Sequence, residues 1–118
     1  MNTTIETTQI TILNMTPHAV VMYRDGQVAA TFESNGVARA RQSDEVVGSL
    51  LGFDTVRSVF GATEGLPDYV ENTFVIVSAI TGNAAKASGR RTDDLLLTSG
   101  LVRDEDGKIL GCTAFALV

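Results

Sequence analysis

Tryptophan is absent from this sequence, and cysteine and histidine occur once each, as Cys112 and His18. A lone cysteine makes no disulfide within the chain, which favours a reducing compartment over a secreted one. One histidine and one cysteine do not supply the three or four nitrogen and sulfur ligands of a zinc site. No apolar run approaches the roughly 18 residues of a membrane span. Positive charge is in deficit: nine Lys and Arg against fourteen Asp and Glu leave −5 at pH 7, without the basic field that drives binding to long nucleic acid. Residues 1–9 carry no basic stretch of the secretory kind. These absences lead us to expect a cytoplasmic protein with no metal, no cofactor, no membrane and no long nucleic-acid partner.

What is present is globular. The chain has 118 residues, 44% hydrophobic and 19% charged, the size of one domain. Aromatic residues make up only 6%, so the core must come from Val, Leu, Ile and Ala. A core so small and light gains by burying a further face against copies of itself; a homo-oligomer is the expectation.

Residues 1–8 are polar and Thr-rich and read as a loose arm, leaving 9–118 as the single domain. Gln9 to Asn14 reads as a strand ending at Thr16-Pro17. Ala19–Arg24 and Gln27–Phe32 flank Asp25-Gly26, a strong two-residue hairpin signal that sets Tyr23 across from Val28 and Arg24 from Gln27. Val37 to Arg41 reads as a short strand. Ser43-Asp44-Glu45 resembles a helix start, with a cap followed by two acids, and Val46, Val47, Leu50 and Leu51 keep a helical face up to Gly52. Phe53–Phe60 returns to strand. Thr73–Ala79, apolar on both faces, marks a central strand, and Thr81–Ser88 reads as a small helix stopped by Gly89. Leu101–Glu105 and Lys108–Leu117 flank a second turn, Asp106-Gly107, with Glu105 opposite Lys108. The expected fold is a strand-dominated α+β domain with two Asp-Gly hairpins and one or two short helices.

Catalytic signatures are missing: the sequence has no Gly-Lys-Ser phosphate loop, no Gly-x-Ser-x-Gly elbow and no His-Glu-x-x-His. Asp104-Glu105-Asp106-Gly107 lacks the later ligands of a calcium loop and reads as a polar hairpin tip. Asp93-Asp94 reads as solvated. Cys112 sits in an apolar strand, where cysteine is ordinarily an inert small hydrophobe. His18 is either a group presented on a rigid turn or, the plainer reading, a histidine bonding to backbone where the first hairpin begins. Seven of the nine basic residues are Arg, at 24, 39, 41, 57, 90, 91 and 103. The guanidinium fork grips phosphates bidentately, so local arginine clusters could form small anion pockets in an acidic chain; pairing with acids is the equally weighted alternative.

The run Leu13-Asn14-Met15-Thr16-Pro17-His18-Ala19-Val20 resembles the "N-L-T-P-H" opening of small phage, prophage and actinobacterial proteins. Arg57, Val59 to Gly61, Gly65-Leu66-Pro67, Val77-Ser78, Arg91-Thr92-Asp93, Leu101-Val102-Arg103-Asp104 and Gly107 to Gly111 follow in order. The chain is similar to the first family of Thoeris anti-defence proteins. Those proteins sequester cyclic ADP-ribose isomers, and in some cases cyclic oligonucleotides, without degrading them, and assemble as dimers that build hexamers with shared pockets. The resemblance implies a phage-encoded binding protein and no enzyme, acting in the infected host's cytoplasm. By order along the chain it matches Arg24, Phe74, Asn83, Arg103 and Asp104 to the ligand-binding roles. A second anion site falls to Arg57, Arg90 and Arg91. The competing functions are a phage accessory module that blocks a host factor and a small hydrolase or lyase using His18.

Overall fold

The computed structural model describes residues 9–118; the proposed N-terminal arm, 1–8, lies outside them. Strands β1 (Thr11–Asn14), β2 (Val20–Arg24), β3 (Gln27–Phe32), β4 (Gln42–Leu50), β5 (Phe53–Phe60) and β6 (Thr73–Ile76) precede one helix, α1 (Ala79–Ala87). Strands β7 (Leu95–Arg103) and β8 (Ile109–Leu117) complete the chain. The domain is a strand-dominated α+β fold.

Six strands form one mixed sheet in the order β1-β6-β7-β8-β2-β3. The β6–α1–β7 unit is a parallel crossover, and β1 and β2 lie parallel to β6 and β8. The sheet curls until its two edge strands meet, where Asn14 bridges Ser34 just past β3. One apolar cluster draws on all six strands, which a flat sheet could not arrange. Val20, Ile76, Leu96 and Cys112 form its centre, ringed by Ile12, Met22, Phe32, Phe74 and Phe115. A second cluster, Ala38, Val75, Val77, Ala85 and Leu95, lies on the other face beneath α1. Thus Phe74 and Ile76 of β6 face one cluster, while Val75 and, just past the strand, Val77 face the other, as the apolar run predicts.

α1 begins at Ser78, whose hydroxyl accepts from the Thr81 amide at 3.2 Å, and is followed by Gly89 at φ +83°. The first hairpin has the expected register, Tyr23 with Val28 and Arg24 with Gln27, because Asp25 and Gly26 both take the positive φ of a two-residue turn.

Three readings are corrected. The segment Ser43–Gly52 is strand, not helix: β4 and β5 form a separate hairpin turned at Leu51-Gly52, both at positive φ. Val46, Val47, Gly48 and Ser49 are poor helix formers, and the β-rich Phe53–Phe60, one turn away, pairs with the segment along its whole length. Val37–Arg41 contributes a lone bridge, Arg39 to Glu64, rather than a strand. In the last hairpin Arg103 pairs with Ile109, and the Asp104 amide donates to the Lys108 carbonyl, so Glu105 is in the loop and not opposite Lys108. Three loop residues with Gly107 left-handed replace the expected two.

The β4–β5 hairpin is an arm. Every residue from Gln42 to Val59 is solvent-exposed; below them the two legs stay joined through Gly61 to Arg41 and Arg39 to Glu64 backbone bonds, and the root is tied to the body where the Ala38 amide donates to the Met15 carbonyl and β5 approaches α1. At nine residues it reaches roughly 30 Å. The Cα radius of gyration is accordingly 18.0 Å, against about 13 Å for a compact domain of this length.

Candidate functional site

The Asn-x-Thr-Pro-His run is first of all a structural clasp. Asn14 is fully buried; its side-chain amide donates to the His18 carbonyl at 2.7 Å and the Phe32 carbonyl at 2.9 Å. Its oxygen accepts from the Thr16 amide and hydroxyl, at 3.0 and 2.6 Å. The Asn14 amide donates to the Asn35 side chain, and the Asn35 amide donates to the Asn14 carbonyl. One residue thereby joins β1, the loop into β2 and the end of β3. His18 is lifted onto the surface, its carbonyl used and its imidazole free of hydrogen bonds among the described residues.

That turn overlooks two grooves. The larger, about 570 Å³, is walled by Val20, Val21, Val77, Leu97, Leu101, Ile109 and Leu110, with Thr16, His18, Ser78 and Thr98 as its polar side chains. The smaller, about 300 Å³, lies among Met15, Pro17, Val37, Ile80 and Arg39. Thr16 and Ser78 belong to both grooves and form the ridge between them. Ser78 caps α1, so the positive end of the helix dipole lies at that ridge.

Cys112 also lines the larger groove, yet its thiol is buried against the Val21 carbonyl and the Met22 sulfur, and burial raises its pKa above the ordinary thiol value. A protonated thiol is a poor nucleophile. Among the described residues no three His, Cys, Asp or Glu side chains are grouped as a metal site.

None of the residues matched from the sequence lines either groove. Phe74 is half-buried, packed against the six-strand cluster. Asn83 is exposed on α1. Arg24 and Arg103 sit toward opposite ends of the sheet: β2 runs parallel to β8 with Met22 level with Cys112, so Arg24 lies beyond Cys112, whereas Arg103 is level with Ile109. Arg103 donates to the Gly107 carbonyl rather than pairing with Glu105, and one Asp104 oxygen accepts from the Asp106 and Lys108 amides. Both residues therefore hold their own hairpin loop.

Of the second set, Arg57 is on the arm. Arg90 grips Asp94, which is buried rather than solvated as the sequence suggested, with two bonds, 2.9 and 3.0 Å, and also donates to the Pro67 carbonyl. Arg91 lies 3.8 Å over the Tyr69 ring and chelates Asp93, which holds that carboxyl below its usual range. These two arginines are committed to the Pro67–Asp94 region of the fold.

Arg39, Thr16, Ser78 and Thr98 were not singled out as ligand contacts by sequence reasoning. Arg39 was one arginine among seven, and Thr98 carries no local signal. Ser78 alone could have been found, as the cap residue before a small helix. No helix among the described residues is long and apolar enough to cross a membrane. Comparison with protein-family models, with curated proteins and with solved structures finds no match for this chain.

Proposed function

We propose that the chain is a non-catalytic binding protein that sequesters a small nucleotide-derived molecule across the Thr16–Ser78 ridge. The observation that carries this reading is the pairing of an apolar groove with a smaller one bordered by Arg39, both meeting at the N-terminus of α1. A nucleobase or similar flat ring suits the wall of Val20, Val77 and Leu97. A phosphate suits the other side, bordered by Arg39 and the N-terminus of α1, both of which favour negative charge. His18, Ser78 and Thr98 offer hydrogen bonds to ring or ribose edges. Capture of this kind uses burial and hydrogen bonding and needs no nucleophile.

The resemblance to the Thoeris anti-defence proteins supplies the candidate ligand, a cyclic ADP-ribose isomer, whose adenine and pyrophosphate correspond to the two lobes; cyclic oligonucleotides share that chemistry. The setting would be removal of an immune signal in an infected bacterial cytoplasm. Calorimetry against both ligand classes tests the reading, followed by heat release and mass spectrometry of the bound molecule. Arg39→Ala is expected to weaken binding roughly ten- to a hundredfold, the range for a lost charge-assisted contact, and the ligand to be recovered intact. Absence of binding across the panel, or recovery of a cleaved product, would overturn it. The exposed apolar arm favours a second reading, a protein-interaction module, which predicts no small-molecule heat at all.

A further inference from the structure

Asn35-Gly36 is the only Asn-Gly pair in the sequence, and it follows the Asn14–Ser34 bridge where the two edges of the sheet meet. In any Asn-Gly pair the glycine nitrogen can attack the preceding carboxamide, because no side chain shields it. Both residues are exposed here, and Gly36 takes φ +140°, a conformation kept for glycine. The fold adds three features to this bare chemistry. The Asn14 backbone N–H donates to Asn35 Oδ1 at 2.9 Å, so it polarises the carboxamide and faces the oxygen on which charge develops during attack. The Nδ2 end, which must leave, has no partner among the described residues. The attacking nitrogen is loosely held: the Gly36 N–H donates to Ser34 Oγ at 3.4 Å, long for a hydrogen bond.

We propose that Asn35 is a self-modification site. The Gly36 nitrogen bonds to Asn35 Cγ, the bond from Cγ to Nδ2 breaks, and the Gly36 amide proton departs with Nδ2 as ammonia. One water then opens the succinimide ring at either carbonyl, leaving an aspartyl or an isoaspartyl link. The reaction consumes that water, releases that ammonia and needs no oxidant or cofactor. The seam gives the product its effect. The Asn35 and Ala38 amides are bound to the Asn14 and Met15 carbonyls, at 2.8 and 2.9 Å. An isoaspartyl link routes the main chain through Cβ and Cγ and inserts one carbon between these two anchors, and either product adds a negative charge beside Asn14. The isoaspartyl form therefore loosens the clasp that holds Thr16 and His18 over the grooves, and aged molecules keep their binding ridge less firmly than new ones. The inference stands apart from what the grooves bind.

Peptide mapping by mass spectrometry of the whole chain, incubated folded at pH 8 without ligand, tests it beside a synthetic peptide spanning Glu33–Arg39. A gain of one mass unit at Asn35 is expected in the folded protein at least as fast as in the peptide. It should also be at least tenfold faster than at Asn72 or Asn83, which precede Thr73 and Ala84. A protein isoaspartate methyltransferase with a labelled methyl donor should mark the product. Asn35→Gln, whose longer side chain would have to close a six-membered ring, should abolish the gain. The isoaspartyl form, separated by anion exchange, should exchange its Ala38 amide at least tenfold faster than fresh protein. A folded chain that reacts more slowly than the peptide would overturn the proposal, since the seam would then shield the pair. An unlabelled product, or an Ala38 amide equally protected in both forms, would overturn the loosening. Neither result bears on capture by the grooves, which calorimetry judges separately.

Discussion

Asn14 uses both ends of its amide in the dry centre of the clasp, and that makes it a sharp test of the fold. In Asn14→Asp an oxygen would replace the Nδ2 that now donates to the His18 and Phe32 carbonyls, so three oxygens would face one another without a proton. We expect a loss of about 3 kcal/mol or more in urea unfolding at pH 7, exceeding that of Asn14→Ala, which removes partners without adding a charge. Equal losses would mean that the amide acts only as filler. Cys112 tests burial by a different route. Its thiol pKa is raised in the folded state by desolvation, so the folded protein holds a proton at pH values where the unfolded chain has lost it. That contribution to stability is complete below the unfolded thiol pKa, near 9, and is lost as pH rises through the folded value. At pH 8 iodoacetamide should label the native protein at least tenfold more slowly than the urea-unfolded chain; equal rates would show that the six-strand cluster admits reagent and water.

At the scale of elements, the sheet junction with the fewest registered pairs is that between β2 and β8, which share one, Met22 with Cys112. Gly111 permits that approach, since a Cβ there would lie 2.4 Å from the Val21 carbonyl and 2.7 Å from the Tyr23 ring. Gly111→Ala is expected to cost about 1–3 kcal/mol and to speed amide exchange in β2 and β3. Gly107→Ala, at φ +82° but in open space, should cost about 1 kcal/mol and leave β2 protected. The two hairpins built on Asp-Gly were legible because a turn fixes its neighbours' register locally; the second shifted by a residue because Asp104 caps a longer loop. The helix expected at Ser43 rests on a cap signal of a few residues, whereas the deciding factor is pairing with the whole of Phe53–Phe60, which outweighs it.

For the whole molecule, composition and apolar patterning made the strand-rich class and the central β6 readable. The site was not readable. Its lining comes from three stretches, 16–21, 77–79 and 97–112, that become neighbours only when the sheet curls, and its arginine, Arg39, is distinguished from the other six by position alone. The strand order has another consequence, for the order in which the chain can fold. β1 waits for β6, β2 waits for β8, and the β6–β7 pair waits for α1 between them. During synthesis the β2–β3 and β4–β5 hairpins are the first to have their partners at hand, and the β7–β8 hairpin follows only at the end of the chain, because pairing across long loops comes late. The arm is therefore among the first elements able to take shape and has nothing on its own nascent chain to rest against. Its Leu50, Leu51 and Phe53 are exposed in the finished fold as well, so the later closing of the sheet does not cover what forms early.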